Sequence, residues 1–131
     1  MFRALVVEDD FVSRKLITEI IKHKLNYDVA VNGREAVAAV AAAVENGEPY
    51  DLIFMDIAMP EMDGIQALKL IREDEEARGV VLGHGVPVIM VTAYDEPFLD
   101  AFNSGCDDYI VKPIDVASLM RKVEEKLGSL E

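Results

Sequence analysis

Cysteine is scarce in this sequence, and long apolar runs are missing. The 131 residues include one cysteine, Cys106, which excludes an internal disulfide and a cysteine-rich metal site. The longest apolar run, residues 36–44, is too short to cross a membrane, and acidic residues follow the first apolar segment before a signal peptide could be completed. These features predict a cytoplasmic protein in a reducing compartment, without membrane association.

Basic side chains are also few. The chain has 13 Lys and Arg against 25 Asp and Glu, for a formal net charge of −12. Such a chain repels phosphate backbones and anionic lipids, so a nucleic-acid binder is disfavoured. The hydrophobic content of 51% is enough for a buried core, and the length suits one domain. We therefore expect residues 1–131 to form a single globular domain.

Short apolar runs alternate with longer stretches of helical period along the chain. This alternation is typical of βαβ units and of a parallel sheet covered by helices on both faces. The runs predict five strands, at residues 5–7, 27–31, 52–55, 86–91 and 109–111. The intervening periodicity predicts amphipathic helices around 12–21, 34–45, 65–76, 96–103 and 116–127. Asp95 and Pro97 suit the start of the fourth helix, and residues 74–85 read as a frayed helix end followed by a surface loop.

Polar side chains follow four of the five predicted strands. Ligands of parallel α/β sheets bind beyond the carboxyl ends of the strands, so these side chains are candidates for a common site. They are Glu8, Asp9 and Asp10 after the first strand, Asp56 after the third, Thr92 after the fourth and Lys112 after the fifth. Taken singly, each has an ordinary structural explanation, such as a helix cap, a loop contact or a surface cation. Together they place several carboxylates at one edge, which is tolerable only if a cation offsets their repulsion.

The predicted cation is magnesium. The available donors are carboxylate, carbonyl and water oxygens, with no cysteine or nearby histidine, and this disfavours zinc. Magnesium uses few carboxylates and leaves coordination positions for a phosphoryl oxygen. Lys112 and the Thr92 hydroxyl could hold the other phosphoryl oxygens, which leaves Asp56 as the nucleophile that would form an aspartyl phosphate.

Four ordered motifs resemble those of a response regulator receiver domain. They are LVVEDD at 5–10, MDIAMPEMDG at 55–64, VTA at 91–93 and YIVKP at 109–113. The resemblance covers about residues 3–127. It implies a flavodoxin-like, doubly wound α/β fold with five helices and a five-stranded parallel sheet in the order 2-1-3-4-5.

The resemblance also implies roles for individual residues. Asp56 matches the phosphoacceptor, Glu8 and Asp9 the acidic metal-binding pair, Ala58 the residue whose backbone carbonyl binds the metal, and Lys112 the lysine that contacts phosphate, with a cis bond to Pro113. Thr92 and Tyr109 match the switch pair. On this basis the chain would take a phosphoryl group from a sensor histidine kinase or phosphotransfer protein and act as a signalling switch. It would catalyse only its own phosphorylation and dephosphorylation.

The expected output is a change in the face formed by helix four, strand five and helix five. A downstream protein would dock there, and a homodimer could form through the same face. Two rival functions remain at this point. A phosphatase of the haloacid dehalogenase class also forms an aspartyl phosphate, but its Asp-x-Asp-x-Thr signature is missing because Ile57 and Ala58 follow Asp56. An interaction module without phosphorylation is weakened because every acidic and basic position of the motif is filled.

Overall fold

The computed structural model describes residues 1–93 and 98–130. Strands and helices alternate through these residues, as predicted. The elements are β1 (Arg3–Val7), α1 (Phe11–Ile21), β2 (Asn26–Ala30), α2 (Gly33–Glu45), β3 (Leu52–Asp56), α3 (Gly64–Ala77), β4 (Val88–Thr92), α4 (Phe98–Asn103), β5 (Asp108–Val111) and α5 (Val116–Leu127). The predicted start of α4 at residue 96, with Asp95 and Pro97, lies outside the described residues.

The strands form one parallel sheet in the order β2-β1-β3-β4-β5. This confirms the predicted α/β fold and its strand order. Alternate side chains of the strands enter two separate apolar cores, one on each face of the sheet. The α2 and α3 side chains fill the first core, and the α1 and α5 side chains fill the second.

Burial follows the position of each strand in the sheet. All five residues of β3 and of β4 are buried, as the unbroken apolar runs predict. In β2, by contrast, only Ala30 is buried. Because β2 lies at the edge of the sheet, the helices cover its two faces less than those of the central strands, and the expectation that strands are covered on both faces does not hold there.

The end of α3 differs from the predicted frayed helix. The helix continues to Ala77, and Glu75 is buried. Its carboxylate is held by Arg72 at 2.8 Å and by the backbone N–H of Val86 at 2.7 Å. Arg72 also donates to the Gly105 carbonyl at 3.0 Å and to Asp107 at 3.1 Å. This network fixes the last turn of α3 against the segments before β4 and β5.

Among the described residues, no helix combines the length and apolar character needed to cross a bilayer.

Candidate functional site

The predicted site residues meet at the carboxyl ends of the strands. Asp56 is the last residue of the central strand β3 and pairs in register with Val91 of β4. Thr92 ends β4, and its carbonyl accepts a hydrogen bond of 2.8 Å from the Lys112 N–H, which joins the ends of β4 and β5. Glu8 follows β1 directly, and its N–H donates to the Ala30 carbonyl at 3.0 Å. The parallel sheet therefore brings together residues that are far apart in sequence.

Three carboxylates form a compact cluster at this edge. One carboxylate oxygen from each of Glu8, Asp9 and Asp56 lies within 4.8 Å of the others. Glu8 and Asp56 are 0% and 2% exposed, whereas Asp9 is open to solvent. The third acid after β1, Asp10, takes no part, because its carboxylate caps α1 by accepting the Ser13 N–H at 2.8 Å. The sequence left open whether Asp9 or Asp10 caps α1. The structure shows that Asp10 is the cap and that Asp9 belongs to the cluster with Glu8.

Lys112 supplies a positive charge beside two of the three cluster acids. Its Nζ lies 3.2 Å from Glu8 Oε1 and 3.5 Å from Asp56 Oδ1. Burial alone would lower the pKa of Lys112, but the charges of Asp56 and Glu8 outweigh burial and raise the pKa. Lys112 therefore stays protonated at neutral pH. For Glu8, burial outweighs the attraction of Lys112 and raises the pKa of the carboxyl.

The cluster fits a magnesium ion. Glu8 Oε2 is buried and has no hydrogen-bond partner among the residues that the structure describes. A buried, unpaired carboxylate oxygen is costly, and a bound cation would remove that cost. The donors are all carboxylate oxygens, the ligand type that magnesium prefers, and the open side at Asp9 leaves room for water. The chemistry of these donors therefore supports the predicted ion.

The predicted switch residues lie on neighbouring strands. Thr92 is buried, and its hydroxyl donates to the Ala93 carbonyl at 2.8 Å. Tyr109, on β5, is half-buried. Its ring packs edge-on against Phe102 with centroids 5.6 Å apart, and Lys122 Nζ lies 5.9 Å from its ring centroid. Thr92 is thus buried at the carboxyl edge of the sheet, whereas Tyr109 contacts side chains of α4 and α5.

The loop after β3 turns back sharply beneath Asp56. Ala58 is exposed in this loop, two residues after Asp56. The Gly64 N–H donates to the Ile57 carbonyl at 2.8 Å, and a Cβ atom at Gly64 would overlap the Asp56 carbonyl oxygen. Only glycine permits this close return. The Lys112–Pro113 peptide bond is cis, as the resemblance implied.

Arg14 also contacts the site, although the sequence does not predict it. Its Nη1 donates to the Glu8 carbonyl at 3.0 Å and lies 3.4 Å from the Asp9 carbonyl. Its guanidinium carbon lies 5.6 Å from the Phe11 ring centroid. Arg14 thereby holds the backbone of Glu8 and Asp9, two of the three cluster acids, from the start of α1. Its position six residues after Glu8 carries no signal by itself, since arginines on exposed helix faces are common.

The chain belongs to the response regulator receiver domain family, which it matches over residues 4–124. It is 39% identical over 130 residues to a protein-glutamate methylesterase/protein-glutamine glutaminase of Nocardioides, a match covering 94% of this chain and 32% of that protein. Among solved structures, it resembles the receiver domain of Ssk1 from Saccharomyces cerevisiae in complex with the phosphotransfer protein Ypd1, with 32% identity, a TM-score of 0.80 and coverage of 95% of this chain and 88% of the other.

A second solved structure bears on the metal. The receiver domain of the sensor histidine kinase PA1611 from Pseudomonas aeruginosa, 28% identical with a TM-score of 0.80 over 98% of both chains, has a magnesium ion coordinated in its active-site cleft. The family defines this chain as a receiver domain of two-component phosphorelay signalling, as the motifs predicted. The chain spans from 7% to 32% of the length of the first curated relatives it matches.

Proposed function

We propose that Asp56 accepts the phosphoryl group in this receiver domain. The observation that carries the proposal is a buried carboxylate at the end of the central strand, close to Lys112 and to the acids Glu8 and Asp9. Of the three cluster acids, Asp56 is the one that ends the central strand; the Lys112 ammonium lies 3.5 Å from it and 3.2 Å from Glu8. The other two are proposed to hold magnesium, together with Asp56 and the backbone carbonyl of Ala58.

The proposed reaction exchanges one phosphorus bond for another. An Asp56 carboxylate oxygen attacks the phosphorus atom, the new O–P bond forms, and the bond from phosphorus to the donor nitrogen of a phosphohistidine or to the oxygen of acetyl phosphate breaks. Lys112 contributes a fixed positive charge beside the incoming phosphoryl oxygens. Bound magnesium would supply further neutralisation of the phosphoryl charge.

The experiment that tests the acceptor is phosphorylation of Asp56→Asn. Wild-type protein incubated with magnesium and acetyl phosphate should gain the mass of one phosphoryl group, and Asp56→Asn should not. Asp63→Asn is the matched control, because Asp63 caps α3 outside the cluster and should leave labelling unchanged. Equal labelling of wild type and Asp56→Asn would refute the assignment.

The proposed output is a shift of population between two conformations. A phosphoryl oxygen on Asp56 offers the Thr92 hydroxyl a charged acceptor in place of the Ala93 carbonyl. Inward movement of Thr92 would vacate space that Tyr109 can take. The face of α4, β5 and α5 carries the exposed apolar residues Leu99, Val111 and Val116, and we propose that a downstream protein docks there when the face changes.

We further propose that the donor is a phosphohistidine on a sensor kinase or phosphotransfer protein. The related Ssk1 receiver forms a complex with such a phosphotransfer protein. Residues 1–131 are proposed to act as one receiver domain in the cytoplasm, where the free thiol of Cys106 would stay reduced. In this role the domain works as a switch and not as an enzyme that turns over a separate substrate.

A further inference from the structure

The second notable surface lies at the opposite end of the sheet from the carboxylate cluster. A cavity of about 630 Å³ opens between the loop that precedes β4 and the end of α4. Its lining residues come before β4 and before β5, so it borders the amino ends of the strands, whereas Asp56 and Thr92 are at the carboxyl ends. It is therefore separate from the phosphorylation site.

Exposed apolar side chains form two walls of this cavity. In the loop before β4, Val81 is 68% exposed and Leu82 is 95% exposed, and across the cavity Phe102 of α4 is 40% exposed. Large apolar side chains grouped beside a concave surface are typical of sites that a partner covers. The side chains are presented by an anchored segment, because Glu75 binds the Val86 N–H and a Cβ atom at Gly85 would overlap the Glu75 carboxylate.

The charged side chains at the floor of the cavity already have hydrogen-bond partners within the protein. Arg72 is satisfied by Glu75, Asp107 and the Gly105 carbonyl. The two oxygens of Glu75 are used by Arg72 and the Val86 N–H, and Asp107 also accepts the Val88 N–H at 2.8 Å. An occupant therefore gains mainly from apolar contact with the walls and need not supply groups to the floor.

Exposed acidic side chains lie at the rim of the cavity and next to it on the two bordering helices. Glu76 lines it, Glu73 lies one helical turn before Glu76 on α3, and Asp100 lies one turn before the lining residue Asn103 on α4. All three acids are exposed, and none has an ion-pair partner within residues 1–93 and 98–130. With a net charge of −12, the chain repels anionic occupants here and attracts cationic ones.

We propose that this cleft, formed by Val81, Leu82, Phe102 and the acidic rim, is a docking site for a basic amphipathic helix of a protein partner. The apolar face of the helix would cover the two walls, and its lysines or arginines would lie against Glu73, Glu76 and Asp100. The proposal depends on this surface alone and stands whether or not Asp56 is the phosphoacceptor.

A pair of synthetic helices tests the charge and the apolar requirement together. One peptide combines lysine and leucine in an amphipathic pattern, and the other keeps the same leucines but replaces every lysine by glutamate. Titrated into the full, isotope-labelled chain, the lysine peptide should shift the amide resonances of residues 80–85 and 102–107, and the glutamate peptide should not. Equal shifts with both peptides, or shifts confined to other surfaces, would overturn the proposal.

Two variants with matched controls identify the surface. Leu82→Ser should raise the Kd of the lysine peptide about tenfold or more, whereas Val12→Ser, at an exposed site on α1, should leave it unchanged. Replacing Glu73 and Glu76 by Gln should raise the Kd about two- to fivefold and weaken its salt dependence. The control with the same net charge, Glu124 and Glu125 both changed to Gln, should have less effect.

The same measurements contain the outcomes that would refute the docking site. An unchanged Kd for Leu82→Ser would remove the apolar anchor on which the proposal rests. Shifts of residues 80–85 and 102–107 that depend on protein concentration without any peptide would assign the cleft to a second copy of the chain. Both results would overturn the assignment of the cleft to a basic partner helix.

Discussion

Two neighbouring acids after β1 perform different tasks because their side chains point to different partners. Asp9 is part of the carboxylate cluster, whereas Asp10 caps α1, and hydrogen bonds from Ser13 lower the pKa of Asp10. We expect Asp9→Ala to weaken magnesium binding at least tenfold, with little loss of stability in the absence of the ion. Asp10→Ala should do the reverse, lowering the free energy of unfolding by about 1 kcal/mol and keeping the magnesium affinity.

Calorimetric magnesium titration and urea unfolding of both variants check this division. Each variant removes one carboxylate from the same turn, so a general effect of charge would be equal in both. Only different roles of Asp9 and Asp10 would give opposite results in the two measurements. If Asp10→Ala lost magnesium affinity as strongly as Asp9→Ala, the assignment of the magnesium site to Glu8, Asp9 and Asp56 would be wrong.

Cys106 offers a second test at the level of a single residue. Burial, and then the negative charges of Asp107 and Asp108, raise the pKa of its thiol to about 11. Because the thiolate is the reactive form, alkylation by iodoacetamide at pH 8 should be about 100 times slower than for an ordinary thiol. Mass spectrometry of the folded and urea-unfolded protein measures both rates on the same cysteine. Equal rates in the two states would contradict the raised pKa.

The sequence predicts which polar side chains meet at the carboxyl edge of the sheet, because the ends of most strands can be located in it. Apolar runs locate β1, β3, β4 and β5, and the polar residues that follow them must meet in a parallel sheet. Arg14 could not be predicted in this way, because it contacts backbone carbonyls, and residue types in the sequence do not show which carbonyls lie near a side chain. The choice between Asp9 and Asp10 required side-chain directions, which depend on where α1 begins.

At the level of elements, the end of α3 shows how a charged residue can be essential to packing. The acidic run from Glu73 to Glu76 suggests a solvated surface, yet Glu75 alone turns inward to Arg72 and Val86. That contact depends on the loop returning past Gly85 and on Asp107, which lies just before β5 and also binds Arg72. Both are long-range features, and helical periodicity cannot predict them.

The Glu75 contact leads to a stability prediction. Glu75→Ala should lower the free energy of unfolding by about 2–4 kcal/mol, because it leaves Arg72 with one carboxylate and the Val86 N–H without an acceptor. Glu75→Gln should cost less, since its amide oxygen can still accept from Val86. Glu76→Ala, the exposed neighbour, is the control and should change stability by less than about 0.5 kcal/mol. A urea-unfolding series in which Glu75→Ala matched Glu76→Ala would refute the anchoring role.

At the scale of the whole molecule, repulsion among the three cluster carboxylates lowers the stability of the fold, and bound magnesium should offset that loss. Folding brings Glu8, Asp9 and Asp56 together, whereas the unfolded chain keeps them apart and hydrated. Magnesium should therefore bind the folded state in preference and stabilise it by RT ln(1 + [Mg²⁺]/Kd), about 1.4 kcal/mol at ten times the Kd. For a chain of this size the midpoint of thermal unfolding should rise by several degrees, roughly 3–6 °C. Sodium chloride at equal ionic strength should produce a smaller rise.

The pH dependence of this stabilisation follows from Glu8. Its pKa in the folded protein is raised above the ordinary value of 4.5, so the magnesium-free folded state binds a proton more tightly than the unfolded state does. The stability that protonation of Glu8 contributes to the magnesium-free protein is therefore lost as the pH rises from about 4.5 through the raised pKa. Magnesium competes with that proton, so its stabilising effect should grow over the same pH range. Thermal unfolding with and without magnesium, on wild type and Glu8→Gln, measures the difference. An equal magnesium effect in Glu8→Gln would exclude Glu8 from the metal site.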